Sequence, residues 1–270
     1  MSLIQIRGER ETKLIVQPKL CYSCRIMRHD HYDADFFRRN IEGASRSAAV
    51  IVPHVLEVIP AKSVADVGCG VGVWAAEFLR HKVQDVLGID GVHVPHEQLK
   101  ISPDRFVARD LSQGLNLNRR FDLAVCLEVA EHLPATRAES LVADLVSLAP
   151  AVLFSAAIPN QRGVNHVNEQ WPEYWQKLFA VHNYRLLDCI RSAVWLDGRV
   201  EWWYRQNILL YLNEKHYSKF AHLNSCGPLS VVHPEMLKAV TNTRNQIAAL
   251  LRKTLPAPTY ELLKRCFLHS

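Results

Sequence analysis

The sequence is short of the features that would place it in several broad classes. No apolar run approaches the roughly 18–20 residues that a membrane-spanning helix needs. Arg7, Glu9, Arg10 and Glu11 interrupt the segment where a secretory signal would carry its apolar core. The expectation is a cytoplasmic protein without a membrane span. Cysteine is sparse and odd in number: the seven are Cys21, Cys24, Cys69, Cys126, Cys189, Cys226 and Cys266. That scatter excludes a secreted disulfide framework. Only Cys21 and Cys24 form a close pair, and His29 and His31 nearby are poorly spaced for zinc, so two ordinary thiols are expected there. There is no internal repeat and no low-complexity tract, which removes solenoids and tails of biased composition.

What is present is an ordinary globular composition, 49% hydrophobic and 22% charged in 270 residues. That is enough chain for one α/β domain of common size with additions. The net charge of +5 is unevenly placed: residues 1–28 carry +4, residues 241–270 carry +4, and the body between them −3. A mildly acidic body argues against a nucleic-acid groove across the core. The basic ends are read as solvated tails.

Glycine is also uncommon, at 11 residues, yet three of them fall within five positions. They sit in Val64-Ala65-Asp66-Val67-Gly68-Cys69-Gly70-Val71-Gly72, a buried strand running into a tight turn, followed by a helix from Val73 to about Arg80. Bare backbone at the turn and free N–H groups at the helix start can receive a ligand. A dinucleotide fingerprint would place its third Gly or Ala where Val73 stands. Asp66 would repel a pyrophosphate but suits a cation. The D-x-G-x-G-x-G pattern resembles the first motif of class I S-adenosylmethionine-dependent methyltransferases, whose cofactor carries a sulfonium and an ammonium and no phosphate.

That resemblance covers about residues 43–213. It implies a doubly wound α/β domain with a seven-stranded Rossmann-like sheet, a 1–42 extension and lid, and a 214–270 helical extension. Strands are expected at about 63–67, 85–90, 105–109, 121–127, 151–157, 184–190 and 207–212. The last would be antiparallel, inserted between the fifth and sixth and joined to the sixth by a short hairpin. Helices are expected at about 45–58, 135–148, 171–181 and 235–251, with one more turn or two at 260–268. A small hairpin is expected between Leu3 and Val16. By the same resemblance, Tyr32, Phe36 and Phe37 are lid candidates. The apolar residues Ile247, Leu250, Leu251, Leu262, Leu263 and Phe267 can pack on the body or on a second subunit, which makes a homodimer through the terminal extensions one possible arrangement.

Asp90 ends the second strand about 20 residues past the glycines, where a carboxylate can accept both ribose hydroxyls. The resemblance gives Asp110 the adenine amino group, with backbone help from Leu111. It places Leu127 and Glu128 along the methionine and ribose side. The expected cofactor residues are therefore Asp66, Gly68, Gly70, Gly72, Asp90, Asp110, Leu111 and Glu128.

The string Glu128-Val129-Ala130-Glu131-His132-Leu133-Pro134 follows an apolar strand. This E-x-x-E-H-x-P pattern resembles the fourth motif of small-molecule O-methyltransferases such as those of ubiquinone biosynthesis. Methyl transfer from a sulfonium needs no help for its leaving group, but a hydroxyl acceptor must lose its proton. An imidazole near neutrality suits that task. The preferred reading is a metal-free site in which His132, or its rival His166 in the loop after the fifth strand, takes the proton while Glu131 faces the substrate. The competing reading has Glu128, Glu131 and His132 bind a divalent cation, as in small-RNA 2'-O-methyltransferases, with His166 as a further ligand. The expected acceptor is a small-molecule hydroxyl of a sugar or natural-product intermediate. Small-molecule N-methylation, RNA 2'-O-methylation, nicotinamide chemistry and a non-catalytic scaffold are the alternatives.

Overall fold

A computed structural model describes residues 34–224 and 227–255. The expected N-terminal hairpin, the Cys21/Cys24 pair, Tyr32 and the turn at 260–268 lie outside those residues. Phe36 and Phe37 fall on a described helix, but their side chains are outside the description.

The chain opens with α1 (Ala34–Val58), a single helix that begins before the expected start at about residue 45, so residues 42 and 43, on either side of the expected boundary, lie within it. The glycine turn then sets the first repeat: β1 (Ser63–Val67), α2 (Val73–Arg80) and β2 (Asp85–Asp90). There follow β3 (Phe106–Ala108), β4 (Leu123–Leu127), α3 (Ala138–Leu148), β5 (Ala151–Ser155), α4 (Pro172–Val181) and β6 (Tyr184–Leu187). The expected hairpin between the last two strands does not form. The connection instead contains α5 (Ile190–Val194) and α6 (Trp202–Asn207) before β7 (Leu209–Asn213). Helices α7 (Glu214–Phe220) and α8 (Pro234–Thr254) complete the described chain.

The seven strands are ordered β3-β2-β1-β4-β5-β7-β6. β1 to β5 are parallel, and β7 runs antiparallel between β5 and β6, as expected. Helices cover both faces, so the central strands are apolar throughout rather than alternating. Alternate side chains feed two cores. Val64, Val125, Leu153 and Leu210 meet Ile51, Val55 and Phe78 on one side. Ala65, Ala124, Val152 and Leu209 meet Leu141, Leu145, Trp175 and Phe179 on the other. Trp175 is therefore core, packed on Phe154, whereas Trp171 is exposed.

Strand order reverses direction between β1 and β4. In open α/β sheets the crevice outside the carboxyl ends at such a point is where ligands bind. The two loops that leave β1 and β4 there are the glycine turn and the Glu128–Pro134 segment.

Candidate active site

The β1 loop is built from positive backbone angles: Gly68 has φ 78°, Gly70 54° and Gly72 81°. Gly68 is glycine for a second reason, since a Cβ there would lie 2.2 Å from Cγ2 of Val129. The missing side chain lets the β4 loop close against the β1 loop. Gly70 differs: a Cβ would meet nothing within 4 Å. Its space is left open for a ligand, and its N–H donates to Oδ2 of Asp90 at 2.6 Å.

Two carboxylates flank this turn. Asp66 is buried and its Oδ2 accepts from the Ala75 N–H at 3.1 Å. Burial raises its pKa to about 7; the Ala75 bond opposes the rise and the charge of Asp90 adds to it. Asp90 also accepts from the Gly91 N–H at 2.6 Å, which holds its carboxylate at the end of β2. Asp110 is exposed and its Oδ1 accepts from the Ser112 N–H at 3.0 Å, while Leu111 is buried beneath it.

At the end of β4 the backbone turns sharply. Glu128 has φ 54°, unusual for any residue but glycine. Its N–H donates to the carbonyl and hydroxyl oxygens of Ser155 on β5. Its carboxylate is held by two amides: Gln161 Nε2 donates to Oε2 at 2.9 Å and Asn207 Nδ2 to Oε1 at 3.2 Å. Burial pushes its pKa up, and these donors oppose the rise.

A 3-10 turn (Ala130–His132) then brings Glu131 and His132 to the crevice. Glu131 is fully buried, and neither carboxyl oxygen has a hydrogen-bond partner within bonding geometry. Burial, then the charge of Glu128, holds its pKa well above the usual carboxylate range; the nearby backbone N–H groups of Glu131 and Ala157 temper this. Its own carbonyl accepts from the N–H groups of Val167 and Asn168, which pins the loop carrying His166 beside it. The imidazoles of His132 and His166 meet edge to face, with ring centroids 4.8 Å apart. The His132 pKa is lowered, first by desolvation and then by the charge of His166. His166 Nδ1 lies 2.9 Å from Oε1 of Glu169, which also accepts the Arg162 N–H. Beyond this loop a cleft of about 480 Å³ opens at the start of α4, lined by Gln170, Trp171, Glu173, Tyr174, Lys177 and Ser230.

Glu131, His132 and His166 thus present one ligand atom each, all within 4.8 Å of one another. The sequence singled out all three, together with Glu128. It gave no sign of Gln161, Gln206 or Asn207, because side-chain amides have no recognisable spacing. The one available cue was a polar pair, Gln206-Asn207, set directly against an apolar strand.

A glycine turn after β1, an acidic residue at the end of β2 and a shaped β4 loop at the switch point define a nucleoside-binding transferase site of the S-adenosylmethionine class. The chain belongs to the methyltransferase domain family, whose model matches residues 35–194. It is an S-adenosylmethionine-dependent methyltransferase. No protein of curated function matches it in sequence. Among solved structures it is similar to the magnesium protoporphyrin IX methyltransferase of Synechocystis PCC 6803 with bound SAM. That match has 18% identity and a TM-score of 0.49, and covers 68% of this chain and 87% of that one. It is also similar to an amino pentose methyltransferase from Micromonospora echinaspora, with 16% identity, a TM-score of 0.48 and coverage of 69% and 99%. The methyltransferase domain of bacterial CtHen1 matches with 18% identity, a TM-score of 0.44 and coverage of 63% and 98%. No helix among the described residues is long and apolar enough to cross a membrane.

Proposed function

We propose that this protein methylates a hydroxyl of a small-molecule acceptor, a sugar or natural-product intermediate, with a divalent cation held by Glu131, His132 and His166 beside Glu128. The observation that carries this reading is the convergence of those three ligand atoms at a buried carboxyl whose oxygens have no partner within hydrogen-bonding geometry. A buried, unpartnered carboxyl is costly unless a cation meets it. The donor set of two imidazoles and a carboxylate suits zinc or manganese better than magnesium, which prefers oxygen ligands alone. His166 is oriented from behind by Glu169, the arrangement that metal-ligating histidines favour. A Cβ on Gly163 would lie 2.0 Å from Nε2 of His166, so that glycine keeps room beside the imidazole. When bound, such a cation supplies Lewis acidity that favours an ionised acceptor hydroxyl.

The chain's own residues supply the rest. Asp66 gives the cofactor's cationic end a negative partner, and Asp90 offers its carboxylate to the ribose. The glycine backbone lets the adenosyl group approach, with Asp110 and Leu111 at the adenine side. Holding acceptor oxygen and methyl carbon in line at short distance is the main source of rate. The open cleft at α4 pairs aromatic faces with amide, hydroxyl and ammonium groups, which suits a hydroxylated acceptor.

A metal-free reading is favoured by one observation: the lowered pKa of His132 keeps its imidazole neutral at pH 7, ready to accept a proton. Calorimetry separates the two. Wild type is expected to bind Mn²⁺, and Glu131→Gln to weaken that binding at least about tenfold while leaving S-adenosylhomocysteine affinity unchanged. Absence of Mn²⁺, Mg²⁺ and Zn²⁺ binding at millimolar concentration would reject the metal and return the proton to His132. Radiolabelled methyl transfer to panels of hydroxylated metabolites, amines and RNA then identifies the acceptor.

A further inference from the structure

The orientation of the Gln206 amide, which faces both amides that hold Glu128, traces to a backbone N–H far along the chain. The His233 N–H, just before α8, donates at 2.8 Å to Oε1 of Gln206. A backbone N–H can only donate, so this contact fixes which end of the Gln206 amide is oxygen. Its Nε2 must then face the other way, where it donates to Gln161 Oε1 at 3.2 Å and Asn207 Oδ1 at 3.0 Å. Gln161 Oε1 is held in the same sense by the Ile158 N–H at 3.3 Å and by Asn207 Nδ2 at 2.9 Å. With their oxygens so engaged, the amide groups of Gln161 and Asn207 can only present N–H to Glu128. All four of these side chains are buried: Gln161 is 8% exposed, Gln206 1%, Asn207 3% and His233 4%. Solvent has no room to satisfy the network in another arrangement.

We infer that Gln206 is a positioning residue, through which the docked segment at His233 sets the polarity of Asn207 and reinforces that of Gln161, the two amides that hold the Glu128 carboxylate toward the cofactor. Gln206, Asn207 and His233 all lie beyond the family-matched region 35–194, so this chain completes its site with residues the family model does not supply. The inference rests on the reading of Glu128 as a cofactor-facing group, and adds what sets its orientation.

The test compares two variants of the full chain by S-adenosylhomocysteine calorimetry and thermal melting. Gln206→Glu keeps the shape but replaces the donor facing Gln161 and Asn207 with an acceptor, which drives Asn207 to turn its oxygen toward Glu128 and sets Gln161 against the Ile158 N–H. Leu145→Ala makes a cavity in the core on the opposite face of the sheet and touches none of these residues. Gln206→Glu is expected to weaken S-adenosylhomocysteine binding at least tenfold. Leu145→Ala is expected to lower the melting temperature at least as much while keeping affinity within twofold. Gln206→Glu with wild-type affinity, or equal affinity losses in both variants, overturns the inference. Mn²⁺ titration of wild type judges the metal reading separately, since the cofactor measurement does not depend on it.

Discussion

Asp66→Asn should make the cofactor-free protein more stable and its ligand binding weaker, two effects of opposite sign from one atom change. Asp66 is buried with one N–H donor, and burial lifts its pKa from 3.8 to about 7. In the unfolded chain the carboxyl ionises near 3.8. As pH rises from about 4 to about 7 the unfolded state therefore releases its proton first, and folding stability falls across that window. Above pH 7 the loss is complete, and at about 1.4 kcal/mol per decade it reaches about 4 kcal/mol. That is a large share of the roughly 5–15 kcal/mol that holds a domain folded. Asparagine cannot ionise and keeps an oxygen for the Ala75 N–H. We expect Asp66→Asn to gain about 1–3 kcal/mol at pH 8, allowing for imperfect packing of the new NH₂. Melting should rise by about 2–4 °C per kcal/mol in a chain of this size, with little difference between variant and wild type at pH 4. Wild type should bind S-adenosylmethionine more tightly as pH passes through 7, because the ionised carboxylate meets a cation, and Asp66→Asn should lose that dependence. Melting scans at pH 4, 5, 6, 7 and 8 and calorimetry at pH 5, 6, 7 and 8 read the two quantities. A variant less stable than wild type at pH 8, or a stability difference that does not change between pH 4 and 8, would refute the reasoning.

Further outcomes follow from the glycines. Gly68→Ala places a Cβ 2.2 Å from Val129 at positive φ and should cost about 2–4 kcal/mol of stability, read by urea unfolding. Gly70→Ala meets no atom, so its stability cost is that of a side chain at φ 54°, about 1–2 kcal/mol, yet it should weaken S-adenosylhomocysteine binding, because its methyl group enters the ligand space. Gly163→Ala should displace His166 and reduce Mn²⁺ affinity about tenfold or more with cofactor affinity retained, as measured by calorimetry.

The first half of the fold was legible because punctuation and pattern agree there. The glycine turn separates β1 from α2, and Asp90 closes β2, so all three elements fall where the sequence put them. Strand ends were less legible: β3, β4 and β5 are each one to two residues shorter at one or both ends than their apolar runs suggest. The short hairpin expected before the last strand did not allow for a helix at Trp202–Asn207, since adjacent aromatic residues carry no helix signal of their own. Tertiary structure supplies it, since Tyr204 packs edge to face on Trp74 and Asn207 reaches Glu128. The carboxylates and histidines of the site were visible because their chemistry is rare at that spacing. The amides behind them were not, because a buried Gln or Asn acquires its meaning only from the atom it faces.

The late position of those amides sets an order of assembly. During synthesis, a nascent chain that stops short of residue 206 already contains Glu128 and its donor Gln161, but neither Asn207, the second donor, nor Gln206, which faces both amides, yet exists. The Glu128 carboxylate would then sit in its dry crevice with one of its two amide donors missing, so its setting is complete only once the chain beyond residue 207 has been made. Completion of the reaction centre thereby reports that translation has run well past the sheet's last strand, to His233.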